Sequence, residues 1–292
     1  MIKILPYLLF ALSAISTISA KAQMSISYML DKPSFTLLHQ NTNKKNILDS
    51  CYLTISYDTR FRAFEKDDSL SHSNIMDLQM GRLFNAFFSK NLRDLDTKNT
   101  REMRKRMMIE TIPENYLGWD IIIDNTDSVA TTTNRIPYTS EVIEYSERIP
   151  VIQWKKIPEE ADTIMGYPCK KAVGEFGGRI WEIMYAEDIP LPFGPWKLGG
   201  ADGLILRAAD TENNFIFEAA GLTQQSSPII RYRWPRKQMD KEEWKIFERD
   251  IYRNAGAFVR STGASVSIAD DSEKGFHDLT EDWQEFYNPL ER

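Results

Sequence analysis

Histidine and cysteine are scarce in this 292-residue chain, which has three of the first and two of the second. None of His39, His72 and His277 has another His or a Cys at the spacing of a metal-ligand pair, so the sequence offers no metal site and each reads as a surface residue. Asp120, Asp124 and Asp127 form a carboxylate cluster whose spacing misses the calcium-loop pattern. There is no Gly-x-Ser-x-Gly elbow and no phosphate-binding loop spacing, and no cofactor is implied. Positive charge is also short: 36 Lys and Arg stand against 42 Asp and Glu, a net charge of −6. Such a surface does not hold a nucleic-acid backbone, so no nucleic-acid partner is expected. After the N-terminal stretch no apolar run reaches the ~18 residues of a membrane helix, so no transmembrane segment is expected in the mature chain.

What is present begins with an export pattern. Lys3 supplies a positive start, Ile4 to Ile15 is mostly apolar, and Ala20-Lys21-Ala22 fits the small-x-small rule of signal peptidase. Residues 1–22 therefore read as a cleaved signal peptide and 23–292 as one β-rich domain in the periplasm or cell envelope. No Cys follows the cleavage point, which argues against a lipid anchor. Loss of Lys3 and Lys21 takes the net charge to −8. Aromatic residues make up 12% of the chain, enough for a substantial core. Cys51 and Cys169 could pair in an oxidising compartment, closing a loop that the chain-entropy account values at roughly 4–5 kcal/mol. They could equally be buried free thiols.

Strand-like alternation dominates the mature chain. Ser25 to Leu30 has a period near two, and Cys51, Leu53, Ile55 and Tyr57 share one face of a run ending at Tyr57. Gly118–Asp124, Glu141–Tyr145 and Pro150–Trp154 continue the trend. Gly177-Gly178 between two β runs is a two-residue hairpin signal. Leu204–Ala208 and Asn214–Ala219 read as two further strands. Helix signals are fewer. Asp240 and Glu243 make a capping-box start, followed by Trp244, Phe247 and Ile251 as one apolar stripe. Leu92–Glu110 is highly charged and reads as a solvated helix or excursion. Asp124–Ser128 reads as a loop, and Ser261–Thr280 as a small, polar tail. These signals predict a mainly β, α+β fold: a large, curved, half-barrel-like antiparallel sheet with one or two packed helices. Its curvature would leave an apolar concavity suited to a greasy ligand.

One stretch carries a family signature. It runs Gly166-Tyr167-Pro168-Cys169-Lys170-Lys171-Ala172, then Phe176-Gly177-Gly178-Arg179-Ile180-Trp181 and Asp188-Ile189-Pro190. It closes on Gly194-Pro195-Trp196-Lys197-Leu198-Gly199-Gly200-Ala201-Asp202-Gly203-Leu204-Ile205-Leu206. This resembles the signature of the GLPGLI family of exported Bacteroidota proteins. Met76-Asp77-Leu78-Gln79-Met80-Gly81 with Phe87-Phe88-Ser89 is similar to the family's upstream motif, and Asn288-Pro289-Leu290-Glu291 to its ending. In place of Gly-Leu-Pro-Gly-Leu-Ile the chain has Gly200-Ala201-Asp202-Gly203-Leu204-Ile205, so a turn by Asp-Gly chemistry with a positive-φ glycine replaces proline. The resemblance implies an exported protein whose family has no established biochemical activity.

The signature has two readings. In the architectural one its glycines permit a tight loop into the strand after Gly203, Trp196 fills the core and Lys197 is solvated or paired. In the functional one Trp196, Lys197, Gly199, Gly200, Asp202 and Gly203 form a glycine-lined binding recess. Elsewhere catalytic signals are thin. Cys169 beside Lys170 and Lys171 has the neighbours of an activated thiol, but its strand setting is more plainly structural. Two functions compete. The favoured one is a non-catalytic carrier, chaperone or accessory factor for an outer-membrane system, with an outer-membrane protein or an apolar ligand as partner. The alternative is a peptide or glycan hydrolase with its site at Trp196, Lys197 and Asp202. Export itself is testable: mass spectrometry of the protein from the envelope fraction should find Gln23 as the first residue, and an intact Met1 there would refute the cleavage.

Overall fold

Alternation along one long strand organises the larger part of the chain. A computed structural model describes residues 27–30, 35–65, 70, 72–105, 116–158, 162–269, 276–278 and 283–292. The expected signal segment 1–22 with its expected cleavage point, and the charged residues 106–110, lie outside them. In chain order the elements open with β1 (Ser27–Leu30), β2 (Lys45–Phe61), β3 (His72–Gly81), β4 (Phe84–Ser89) and helix α1 (Lys90–Arg104). Next come β5 (Trp119–Asp124), β6 (Val129–Arg135), β7 (Val142–Arg148), β8 (Lys155–Ile157), β9 (Thr163–Ile164) and β10 (Tyr167–Pro168). β11 (Lys170–Phe176), β12 (Arg179–Ala186), β13 (Leu204–Asp210), β14 (Phe215–Thr223), β15 (Ser227–Tyr232) and β16 (Arg236–Gln238) follow. Helices α2 (Lys241–Arg253) and α3 (Ala255–Ser261) and strands β17 (Ser265–Ala269) and β18 (Phe276–Asp278) close the series.

The chain divides into two compact units. The larger comprises Thr36–Phe247 and Phe286–Arg292. It holds a 13-stranded sheet in the order β16-β7-β6-β5-β4-β3-β2-β14-β13-β12-β11-β8, with β15 also on β2. Every pairing in it is antiparallel except β16 on β7, so the sheet is mixed, and its two ends do not pair. The smaller unit takes the described residues of 1–35 and 248–285. There β1 pairs parallel with β17, and β17 antiparallel with β18. Part of the expected polar tail is therefore strand, and Ala255–Ser261 is a helix that the sequence pattern did not reveal.

The big sheet curls over its own core. Leu53, Ile55 and Tyr57 of β2 are buried, alternating with exposed or half-buried residues. Phe87 of β4 meets Phe217 of β14 at 6.1 Å between ring centroids, and Phe217 meets Trp181 of β12 at 6.2 Å. The Tyr57 hydroxyl donates to the Ile205 carbonyl of β13 at 2.7 Å. These contacts cross between strands that are not neighbours, so the concave side is occupied by packed rings with no solvent exposure at Tyr57, Phe87, Trp181 or Phe217. Burying each such side chain contributes roughly 1.5–3 kcal/mol. Along the outer side Arg231 of β15 reaches Glu144 of β7 at 2.6 Å.

Four expectations fail for physical reasons. First, a register shift between Cys51 and Leu53 inserts a bulge, and one extra residue turns the side-chain alternation over. Leu53 enters the main core, whereas Cys51 packs with Ala86, Phe88 and Ile229 in a separate cluster. Cys169 lies in the main core, and both cysteines are free. Three strands separate β2 from β11, roughly 19 Å along the sheet at about 4.8 Å per step, so no disulfide spans them. Second, α1 is an excursion between β4 and β5, but it is solvated on one face only. Arg93, Asp96, Asn99 and Thr100 are buried on one face: Arg135 of β6 pairs with Asp96, and Arg93 pairs with Asp120 at 2.9 Å while lying 3.4 Å over the Phe88 ring. A charge pattern cannot show that opposing strands carry matching charges. Third, Pro150–Trp154 is not a strand, because Ile152 and Trp154 turn toward the core instead of pairing. Fourth, His39 and His72 are half-buried: His39 has its imidazole pKa lowered by burial, and His72 stacks on Phe61 at 5.3 Å.

Other elements follow their signals. The Ser89 hydroxyl caps α1 by accepting from the Leu92 N–H, which gives the aromatic-Ser step of the upstream motif a local purpose. Asp240 accepts from the Glu243 N–H at 2.8 Å, and Glu243 reaches back to the Asp240 N–H, closing the capping box of α2. Gly177 and Gly178 join β11 to β12 with φ of 61° and 73°. An added Cβ at Gly178 would also sit 2.8 Å from Arg292 Cβ. Gly178→Val should therefore lower stability by roughly 1–3 kcal/mol, read as a shifted urea midpoint. An unchanged midpoint would contradict this turn.

Candidate functional site

The signature loop runs from β12 to β13 and folds on itself. Phe193 and Gly199 form an isolated antiparallel bridge, the Gly200 N–H donates to the Pro192 carbonyl at 3.0 Å, and the Ile205 N–H to Phe193 at 2.9 Å. At the tip Trp196 has a φ of 55°, a conformation that costs a bulky residue on the order of 1–3 kcal/mol. Packing holds it there. Its indole lies 5.0 Å from Phe176 and 5.8 Å from Trp181 and is buried.

The other sequence-selected residues disperse. The Gly199 carbonyl accepts from the Trp154 indole at 2.8 Å, and Gly200 supplies a φ of 80°. Gly203 does not take the expected positive φ; its need is room, since a Cβ would sit 2.1 Å from the Ala186 carbonyl oxygen. Asp202 is exposed and pairs with Lys156 at 2.5 Å. Lys197 is buried, and it shares no partner with Asp202.

Lys197 instead joins a ring of four charges. Its Nζ donates to Glu147 of β7 and, at 2.7 Å, to Glu291. Lys241, the first residue of α2, donates to the other oxygen of Glu147 at 2.6 Å and to the other oxygen of Glu291. Each ammonium bridges both carboxylates and the ring is neutral. Lys197 further lies 5.3 Å over the Trp196 ring and 5.6 Å over Tyr145. A lone buried ammonium is strongly disfavoured, whereas one held by two carboxylates and two ring faces is tolerated. Burial by itself would raise the Glu291 carboxyl, but Lys197 and Lys241 outweigh it and hold the group below the ordinary carboxylate value. Burial would lower the Lys241 ammonium, yet its bonds to Glu147 and Glu291 raise it.

A second buried cation fixes the segment that carries Glu291. Arg179, first residue of β12, donates to the Leu290 carbonyl at 3.0 Å, to Asn288 Oδ1 and the Pro289 carbonyl at 2.6 Å each, and to Asp210 at 2.7 Å. Its guanidinium lies 4.8 Å over Phe215. The Asn288 N–H donates to Ala63 and the Arg292 N–H to Gly177. The Asn-Pro-Leu-Glu ending is thus read by Arg179, Lys197 and Lys241. Sequence reasoning found the motif but missed Glu147, Arg179, Asp210 and Lys241, which have no unusual spacing; the placement of Arg179 directly after the hairpin glycines was the one available signal.

In this arrangement the four charges satisfy one another. A general acid needs a carboxyl held protonated, and Glu291 is held ionised. Burial pushes the Cys169 thiol up, away from the nucleophilic thiolate. Among the described residues no three His, Cys, Asp or Glu side chains gather as metal ligands. Beside the ring opens a groove of about 670 Å³ between Val151 and Gln153 on one side and Glu175 and Phe176 on the other.

No family model matches the chain, and no curated protein matches it. Among solved structures the chain is similar to PNGF-II in its P21 and C2 crystal forms, each with a TM-score of 0.42 and 16% identity over 68% of this chain and 32% of that one. The chain thus spans about a third of the length of that protein.

The ring has a defined pH signature. The lowered Glu291 carboxyl contributes stability above its unfolded value, about 4.3, and that contribution is lost as pH falls through the folded value. The raised Lys241 contributes below about 10.4 and loses its contribution as pH rises through its folded value. Lys197→Met should cost about 3–5 kcal/mol at neutral pH by leaving the carboxylates short of a cation. Glu291→Gln should flatten the acid limb of a urea-midpoint against pH curve. A Lys197→Met protein as stable as the parent would show that the ring does not hold the fold.

Proposed function

We propose that the protein is an exported, non-catalytic envelope protein of the GLPGLI type: a carrier, chaperone or accessory factor that serves an outer-membrane system from the periplasm. The observation that carries this reading is the mutual neutralisation of Lys197, Glu147, Glu291 and Lys241. The charged residue at the heart of the signature is spent on holding the loop, and Lys197 and Lys241 hold the Glu291 carboxyl below the ordinary carboxylate range. The leader at 1–22 and the signature from Gly166 to Leu206 support the location and the family. Packed rings on the concave side move partner capture to the outer surface, where the groove beside Glu175 is open.

The test uses mature protein purified from the envelope fraction. Native mass spectrometry should detect a stably associated envelope component, and screens with peptide and glycan substrates should show no turnover. Turnover abolished by Lys197→Met or Asp202→Asn, in variants that remain folded, would replace this reading with the hydrolase one.

A further inference from the structure

The sheet of the larger unit has an interrupted edge. β8 covers the outer side of β11 only at Lys171, Ala172 and Val173. Toward the hairpin, Glu175 alone is left without a strand on that outer side, the Gly177 carbonyl being taken by the Arg292 N–H. Backbone groups on successive residues of an antiparallel strand point to alternate sides. Phe176 closes the hairpin opposite Arg179, so the N–H and C=O of Glu175 point away from β12 into the groove. The chain before β8 is in register to pair there and does not. Ile152 is buried, and Trp154 lies against Gly174 and donates to the Gly199 carbonyl, which draws residues 150–153 away from the edge. Val151 and Gln153 become the opposite wall of the groove, and Val151 is 83% exposed.

We infer that this groove takes an extended peptide segment of a partner protein, added as a strand along the Glu175 edge of β11. The inference rests on the non-catalytic reading above and gives its partner a chemistry. An unpaired strand edge is a template for another strand, because main-chain bonds supply affinity without regard to sequence. Side chains supply the selectivity. Glu175 stands on the solvent face of β11 and Phe176 on the inner face. An added strand keeps that alternation. Glu175 is exposed and has no cationic partner among the described residues; Arg148, which also lines the groove, directs its guanidinium to the Asp127 carbonyl at 2.8 Å, and the neighbouring ring of four charges is neutral. The segment therefore presents basic side chains outward beside Glu175 and apolar side chains inward toward Phe176 and Val151.

Three blocked, fluorescein-labelled hexapeptides test this by anisotropy with the mature protein: alternating valine and lysine, the same peptide N-methylated on every second amide, and alternating valine and glutamate. The valine–lysine peptide should bind, and N-methylation should weaken it at least roughly tenfold by removing main-chain donors. Glu175→Lys, on an exposed position, should weaken the valine–lysine peptide by a similar factor and strengthen the valine–glutamate one. Equal binding of the methylated and unmethylated peptides, an unchanged preference in Glu175→Lys, or no binding of valine–lysine peptide would each overturn strand addition. The methylation comparison uses the unaltered protein and does not depend on a variant folding. Cleavage of the hexapeptide would sink the non-catalytic reading alone; an envelope partner retained by a protein that ignores all three peptides would sink strand addition alone.

Discussion

Two lysines and two glutamates from four separate stretches of chain alternate around one point of the larger unit. Glu147 ends a sheet strand, Lys197 comes from the loop between β12 and β13, Lys241 opens a helix and Glu291 lies in a segment pinned by Arg179. A curled sheet with unpaired ends has no ladder to fix its two margins against each other. The ring supplies that fixing through side chains, joining β7 at one margin to the loop and hairpin near the other. Because each charge has two partners of opposite sign, removing any one leaves the others with an unmet desolvation cost. The strained φ of Trp196 belongs to the same device, since its ring is anchored among Phe176 and Trp181 while the next residue reaches the carboxylates.

Closing the margins with side chains instead of strands has a consequence. Main-chain groups at the end of β11 stay unpaired while the residues that would have covered them turn inward at Ile152 and Trp154. The fold thus combines a locked signature with an open edge beside it.

Much of the β architecture was legible. Period-two alternation marked β2, β7 and β12, a β-branched run marked β5, Gly177-Gly178 marked the hairpin, and Asp240 with Glu243 marked the start of α2. These signals are local: they depend on φ/ψ preference and on which side chains share a face. The failures share a cause as well. One bulge at Cys51 reversed a face, and complementary charges at Asp120 and Arg135 buried a helix face that composition marked as wet. Trp154 found a carbonyl 45 residues away and drew a β-prone segment off the sheet.

The sequence by itself determined a mainly β chain with glycine-defined turns, a capped helix, an acidic surface and a signature loop centred on Trp196 and Lys197. Only the tertiary structure decided what Lys197 of that loop meets. Lys197 reads the same in sequence whether it meets water, a ligand or two carboxylates. Its partners lie 50 and 94 residues distant, and the energy of a buried charge is set by which groups surround it rather than by which residues flank it.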